Sequence, residues 1–143
     1  MANNNGYKLP DTLRSELEEA VVLLDLAAVR ACLEESREFA AWWRSPSGCT
    51  LLHICITHNY EPSKKDRVLS MCRLLVEDGG VDPNLGNWNS GWTPLHHACF
   101  FNLPDVAIFF LNQANCSCCA FATDLTTPAH LAAANGQVKV LKK

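Results

Sequence analysis

Thr93-Pro94-Leu95-His96-His97-Ala98 is the stretch on which the reading of this chain turns. A threonine directly before a proline is a helix start. The threonine hydroxyl accepts a bond from a first-turn N–H, and proline at the first helical position loses nothing, because its missing N–H would have no intrahelical partner there. Two other stretches align with it, Thr50-Leu51-Leu52-His53-Ile54-Cys55 upstream and Thr127-Pro128-Ala129-His130-Leu131-Ala132 downstream. One helix start is therefore written three times, as expected of units that each bury an apolar face only against a neighbour.

Working outward, the middle unit begins a second helix at Pro104-Asp105, a carboxylate favoured by the helix dipole, followed by an apolar stripe of Val106, Phe109, Phe110 and Leu111. Upstream, Leu13, Leu17, Ala20, Val21 and Leu24 fall on one helical face, and a second stripe after Asp25 runs through Leu26, Val29, Cys32 and Leu33. Glu77-Asp78-Gly79-Gly80-Val81-Asp82-Pro83-Asn84 and Asn135-Gly136 read as turns.

With these motifs the chain resembles the ankyrin repeat, whose first helix opens Thr-Pro-Leu-His-x-Ala and whose period is about 33 residues. The resemblance covers residues 14–143. It departs from the family in spacing, because Thr50 to Thr93 is 43 residues. Most of the excess falls between His58 and Leu69. The resemblance implies an all-α solenoid of helical pairs with short β-hairpin or turn connections. The expected organisation is a disordered leader (1–10), an N-terminal capping helix pair (11–36), a linker (37–49), a repeat with an insertion (50–92), a full repeat (93–126) and a partial repeat (127–143). Residues 38–47, with Trp42 and Trp43, stay open between helix and loop. The last unit stops less than two turns into its second helix, which leaves apolar surface for a longer protein or another element to cover.

Composition narrows the function. A hydrophobic fraction of 48% with 19% charged residues suits a folded domain. Twelve Lys+Arg against 15 Asp+Glu give a net charge of -3, so no cationic field is present to attract nucleic acid or an anionic bilayer. Apolar runs such as residues 20–24 are far shorter than the roughly 20 residues of a membrane span. The start has no export signal, so a cytoplasmic or nuclear location is expected. Nucleophile elbows, phosphate-cradling glycine loops and His-Glu-x-x-His are missing from the sequence, and neither catalysis, a cofactor nor a small-molecule substrate is expected.

Two groups invite a chemical role. His53, His96 and His130 recur at one position per unit. Stacked units place equivalent residues too far apart to share an ion, and the resemblance implies hydrogen bonds within and between repeats. Of the eight cysteines, Cys32, Cys55, Cys72 and Cys99 lie in helical apolar patterns as small hydrophobes, whereas Cys116, Cys118 and Cys119 cluster. That cluster lacks the C-x₂-C spacing of a zinc site.

The remaining signal is aromatic. The resemblance implies a groove lined by hairpin fingers and by the first helix of each pair, where Trp92, Phe100, Phe101 and His97 would face outward with Trp88 nearby in the finger. The other arrangement puts the two phenylalanines beneath the neighbouring unit. Tyr60, in the extra segment of residues 58–66, adds a possible second contact. The expected function is a non-catalytic module binding a protein or peptide at Trp88, Trp92, His97, Phe100, Phe101 and Tyr60. The alternatives are a redox- or metal-responsive regulator built on Cys116, Cys118 and Cys119, or a fragment of a larger scaffold.

Overall fold

The structure, a computed structural model, describes residues 10–113, 116 and 120–141. Of the expected leader 1–10, Pro10 already begins a helix and residues 1–9 lie outside the described residues, as do Asn115 as a left-handed helix cap, Cys118, Cys119, Lys142 and Lys143. Nine α-helices occur among the described ones: α1 Pro10–Val22, α2 Leu26–Glu35, α3 Arg37–Trp42, α4 Leu51–His58, α5 Lys65–Glu77, α6 Pro94–Phe100, α7 Pro104–Leu111, α8 Pro128–Ala134 and α9 Val138–Leu141. A single 3₁₀ turn, Pro62–Lys64, precedes α5.

The helices pair as α1/α2, α4/α5, α6/α7 and α8/α9. The first helices stack in a row α1–α4–α6–α8, and the second helices α5–α7–α9 form a row behind it. Apolar spacing dictates this arrangement. Leu13, Leu17, Ala20, Val21 and Leu24 are all buried, as are Val29, Cys32 and Leu33, with Leu26 at the edge. In α5 the 3.6-residue period brings Val68, Met71, Cys72 and Leu75 into the interior, and Val106 and Phe110 do the same from α7. Each leucine buried this way stabilises the fold by about 1.5–3 kcal/mol. Cys32, Cys55, Cys72 and Cys99 are buried free thiols within this core.

Residues 37–49 are more than the linker expected of them. Arg37–Trp42 is helical, and one turn places Ala40 and Trp43 on the same side, both in the core, while Trp42 points outward at 82% exposure. The Arg14 guanidinium lies 4.8 Å above the Trp43 ring and donates to the Arg44 carbonyl, tying this segment to α1.

The extra length of the first repeat is also ordered. From Thr93 to Thr127 is 34 residues, so the first interval exceeds the second by nine. Much of the difference is helix, because α5 has 13 residues where α7 has 8, and the 3₁₀ turn takes up most of the rest. Asn59 anchors the approach to it by donating Nδ2–H to the carbonyls of Val22 (3.0 Å) and Cys55 (3.2 Å).

Between units the chain makes finger-like turns, with no β-strand among the described residues. Asn87 N–H to the Trp92 carbonyl and Ala122 N–H to the Thr126 carbonyl, both 2.9 Å, close the second and third fingers. Backbone bonds link neighbouring fingers, from Trp88 N–H to Ser47 O and from Thr123 N–H to Ser90 O, each 2.9 Å, the second joined by the Thr123 hydroxyl on the same carbonyl at 3.1 Å.

Candidate functional site

The three histidines cap the first helices, and two of them also bridge units. In each first helix the imidazole reaches back to the capping threonine, so that Nδ1 accepts the Thr50, Thr93 or Thr127 backbone N–H at 3.0, 3.0 and 3.1 Å. This is a capping box with histidine in the place of the usual glutamate. Because Nδ1 accepts, the ring proton sits on Nε2. His53 donates that proton to the Trp92 carbonyl at 2.7 Å, and His96 donates its own to the Thr126 carbonyl at 3.1 Å. Each finger's closing carbonyl therefore carries a second bond from the preceding unit. His53 and His96 serve separate junctions, His130 caps its own helix, and the three rings do not converge.

Burial disfavours the charged form of His53 and His96. It lowers the His53 pKa to about 4, against a smaller opposing effect of the bond to Trp92, and it lowers that of His96 as well.

Against this frame α6 presents an aromatic face. Trp92 precedes the helix, His97 lies one turn in, and Phe100 and Phe101 end it, spacings that place all four on one side. Their rings touch in sequence. Trp92 meets Phe100 at 5.4 Å and 64°, Phe100 meets Phe101 at 5.0 Å and 84°, and Phe101 stacks on Tyr60 at 4.6 Å and 14°. His97 lies behind, edge-on to Trp92 and to His53 at 5.2 Å each. Phe100 is 51% exposed and Tyr60 48%, while Trp92, His97 and Phe101 are partly covered. Phe101 packs partly against the core and Phe100 does not, so the two phenylalanines divide between the arrangements open at the level of sequence.

His97 is the anomaly of the stripe. Both ring nitrogens are shielded from solvent and have no hydrogen-bond partner. Burial, helped by His53 and His96, pushes its pKa down to about 3, so the ring is an uncharged polar group packed among aromatics. An unpaired buried group of this kind costs about 1–3 kcal/mol. The corresponding positions of the other two units hold Ile54 and Leu131, which carry no such cost.

Trp88 stands apart from the other five. Its ring, 64% exposed, lies on Gly48, where a Cβ would approach it to 2.3 Å, and Gly48 has a φ of +82°. The Arg44 guanidinium sits 5.4 Å from the same ring and donates to the carbonyls of Gly48 (2.8 Å) and Gly86 (3.3 Å). Trp88 thus clamps two fingers together. Sequence reasoning missed Arg44, since an arginine in a Ser/Pro/Gly turn carries no periodic signal.

Tyr60 serves α6 in two ways. It covers Phe101, and the pair walls a cavity of about 370 Å³ between the inserted segment and the α6–α7 turn, with Lys65 and Asp105 at its edges. At the last junction polar bonds do the corresponding work, because Asn135 and Gln137 donate to the Cys99 carbonyl at 2.6 and 2.8 Å.

The cysteine cluster is described only at Cys116, where burial and then the Asp82 carboxylate push the thiol up to about 11. That thiol is protonated at neutral pH, the opposite of a reactive or metal-ready thiolate. Among the described residues no group of three or more His, Cys, Asp or Glu could hold a metal ion, and no helix is long and apolar enough to cross a membrane.

Comparison with known proteins bears on the whole constellation. A family model described as ankyrin repeats (3 copies) matches residues 63–143. Delta-latroinsectotoxin-Lt1a of Latrodectus tredecimguttatus is 36% identical over 76 residues, which is 52% of this chain. The chain spans only 6% of that protein's length.

Proposed function

The chain belongs to the ankyrin-repeat family, and on that premise we propose that it captures a segment of a partner protein along the aromatic face of α6. Ankyrin repeats are protein–protein interaction modules. The finer reading is a non-catalytic adaptor whose groove is anchored on Trp92, Phe100 and Phe101, with His97 behind them. One observation carries it. The middle unit holds a tryptophan and two phenylalanines at positions where its neighbours carry Cys49, Thr57 and His58 on one side and Thr126, Ala134 and Asn135 on the other. Three adjacent, partly exposed rings on one unit are the kind of anchor that dominates interfaces, and packing alone does not call for them, since both neighbours stack without them.

The test is capture of partners by affinity purification, followed by binding measurements with Trp92→Ala and Phe100→Ala. Each substitution is expected to weaken the captured complex at least tenfold while the unfolding temperature stays near that of the parent. Undiminished capture by both variants would place the binding surface elsewhere.

A further inference from the structure

The groove reading leaves the partner's chemistry open, and three features of the stripe narrow it. The first is charge. From Gly79 to Val138 the chain has no lysine or arginine, and its three carboxylates are Asp82, Asp105 and Asp124. Asp124 accepts from Thr126 N–H at 3.0 Å within its own finger, Asp82 accepts from Asn84 N–H at 2.8 Å within its turn, and Asp105 borders the cavity beyond Tyr60. The nearest imidazoles are neutral. Lys64 and Lys65 stand only at the Tyr60 end, so a carboxylate laid on Trp92, Phe100 or Phe101 would lose hydration, meet electron-rich ring faces and find no counter-charge, and the surface selects against it.

The second is shape. Trp92 and Phe100 meet at 64° and Phe100 and Phe101 at 84°, about 5 Å apart, before Phe101 stacks on Tyr60, so the stripe presents ring edges as well as faces. A polyproline II helix brings every third side chain to one side at about 9 Å, close to two ring spacings along this stripe. Prolyl rings pack flat on aromatic faces, and a segment whose φ is already fixed loses little entropy on docking.

The third is hydrogen bonding. The Trp92 indole N–H makes no bond among the described residues, and the shielded His97 nitrogens have none. A polyproline II backbone has no internal hydrogen bonds and offers every carbonyl as an acceptor, which meets the indole donor in kind.

We propose that the occupant of the α6 stripe is a proline-rich segment free of acidic side chains, in the polyproline II conformation. This rests on the groove reading above and goes beyond it by naming the ligand's chemistry.

The experiment titrates the protein with end-blocked decaproline while following its indole N–H signals by NMR, that of Trp92 assigned through Trp92→Phe. A second titration uses an amphipathic leucine–lysine helical peptide. The proposal expects saturable, sub-millimolar movement of the Trp92 signal with decaproline. It also expects at least tenfold weaker binding when two central prolines become glutamate, and in Phe100→Ala, whose helical circular dichroism should match the parent. A Trp92 signal that stays still at millimolar decaproline but moves with the helical peptide overturns the proline ligand and leaves the groove standing. Stillness with both peptides also overturns it, and partner capture with the alanine variants then decides the groove separately. Decaproline binding that survives Phe100→Ala overturns it too, since the peptide would be seated elsewhere.

Discussion

His96 and His130 begin their helices with the same bonds, imidazole Nδ1 to the backbone N–H of Thr93 or Thr127 at 3.0 and 3.1 Å. Beyond that the two units part. His96 is buried and spans to the Thr126 carbonyl, whereas His130 is exposed and its helix carries Ala133 and Ala134 on open surface. The capping bonds are local and survive wherever the motif is written. The bridging bond needs a finger carbonyl from a neighbouring unit, so the same imidazole is a junction element at His96 and a helix cap at His130 among the described residues.

Acid should expose that difference most strongly. His53 and His97 have folded-state pKa values of about 4 and 3, below the usual 6.5, so below pH 6.5 the unfolded chain takes up protons that the folded chain refuses. Stability is fully present above pH 6.5 and falls as pH drops toward 4. The slope approaches two protons from these rings, or about 2.7 kcal/mol per pH unit at its steepest. Denaturant unfolding between pH 7 and 4.5 measures it, and a flat profile would mean that these rings are not buried neutral.

Next in size is His53→Ala, which leaves the Thr50 N–H and the Trp92 carbonyl without their imidazole partner and opens a cavity. A loss of about 3 kcal/mol is expected by chemical denaturation. His97→Leu should go the other way. It replaces an unpaired imidazole by the residue type found at Ile54 and Leu131, gaining about 1 kcal/mol and removing one proton from the acid slope. If this stabilised variant also binds partner less well, the cost of His97 is the cost of its function. The smallest effect is predicted for His130→Ala, under about 1 kcal/mol, since only an exposed cap is lost. A His130 variant as damaging as the His53 one would dissolve the distinction between junction and cap.

Much of this was legible in the sequence wherever the cause is local. Thr-Pro announces the starts of α6 and α8, the aligned Thr50-Leu51-Leu52-His53 that of α4, and the Leu13-Leu17-Val21 spacing places the buried face of α1 correctly. What resisted reading depends on distant partners. Trp42 and Trp43 are adjacent, yet one is 82% exposed and the other 2%, a division set by where α1 and Arg14 meet the segment. Five of the six candidate binding residues, Tyr60, Trp92, His97, Phe100 and Phe101, come together. Trp88 goes to the fingers because Gly48 leaves room for a ring there. The stacking of Tyr60 on Phe101 could not be read from spacing, since it depends on how nine extra residues divide between turn and helix.

Trp92 faces two ways: its ring belongs to the stripe, while its carbonyl is held at 2.7 Å by His53 from the unit before. Whatever grips the ring also pins the latch that joins the first repeat to the second. Occupancy should therefore slow amide exchange and protease nicking in α4, a helix the visitor never touches, so that residence on one unit is felt as rigidity in another.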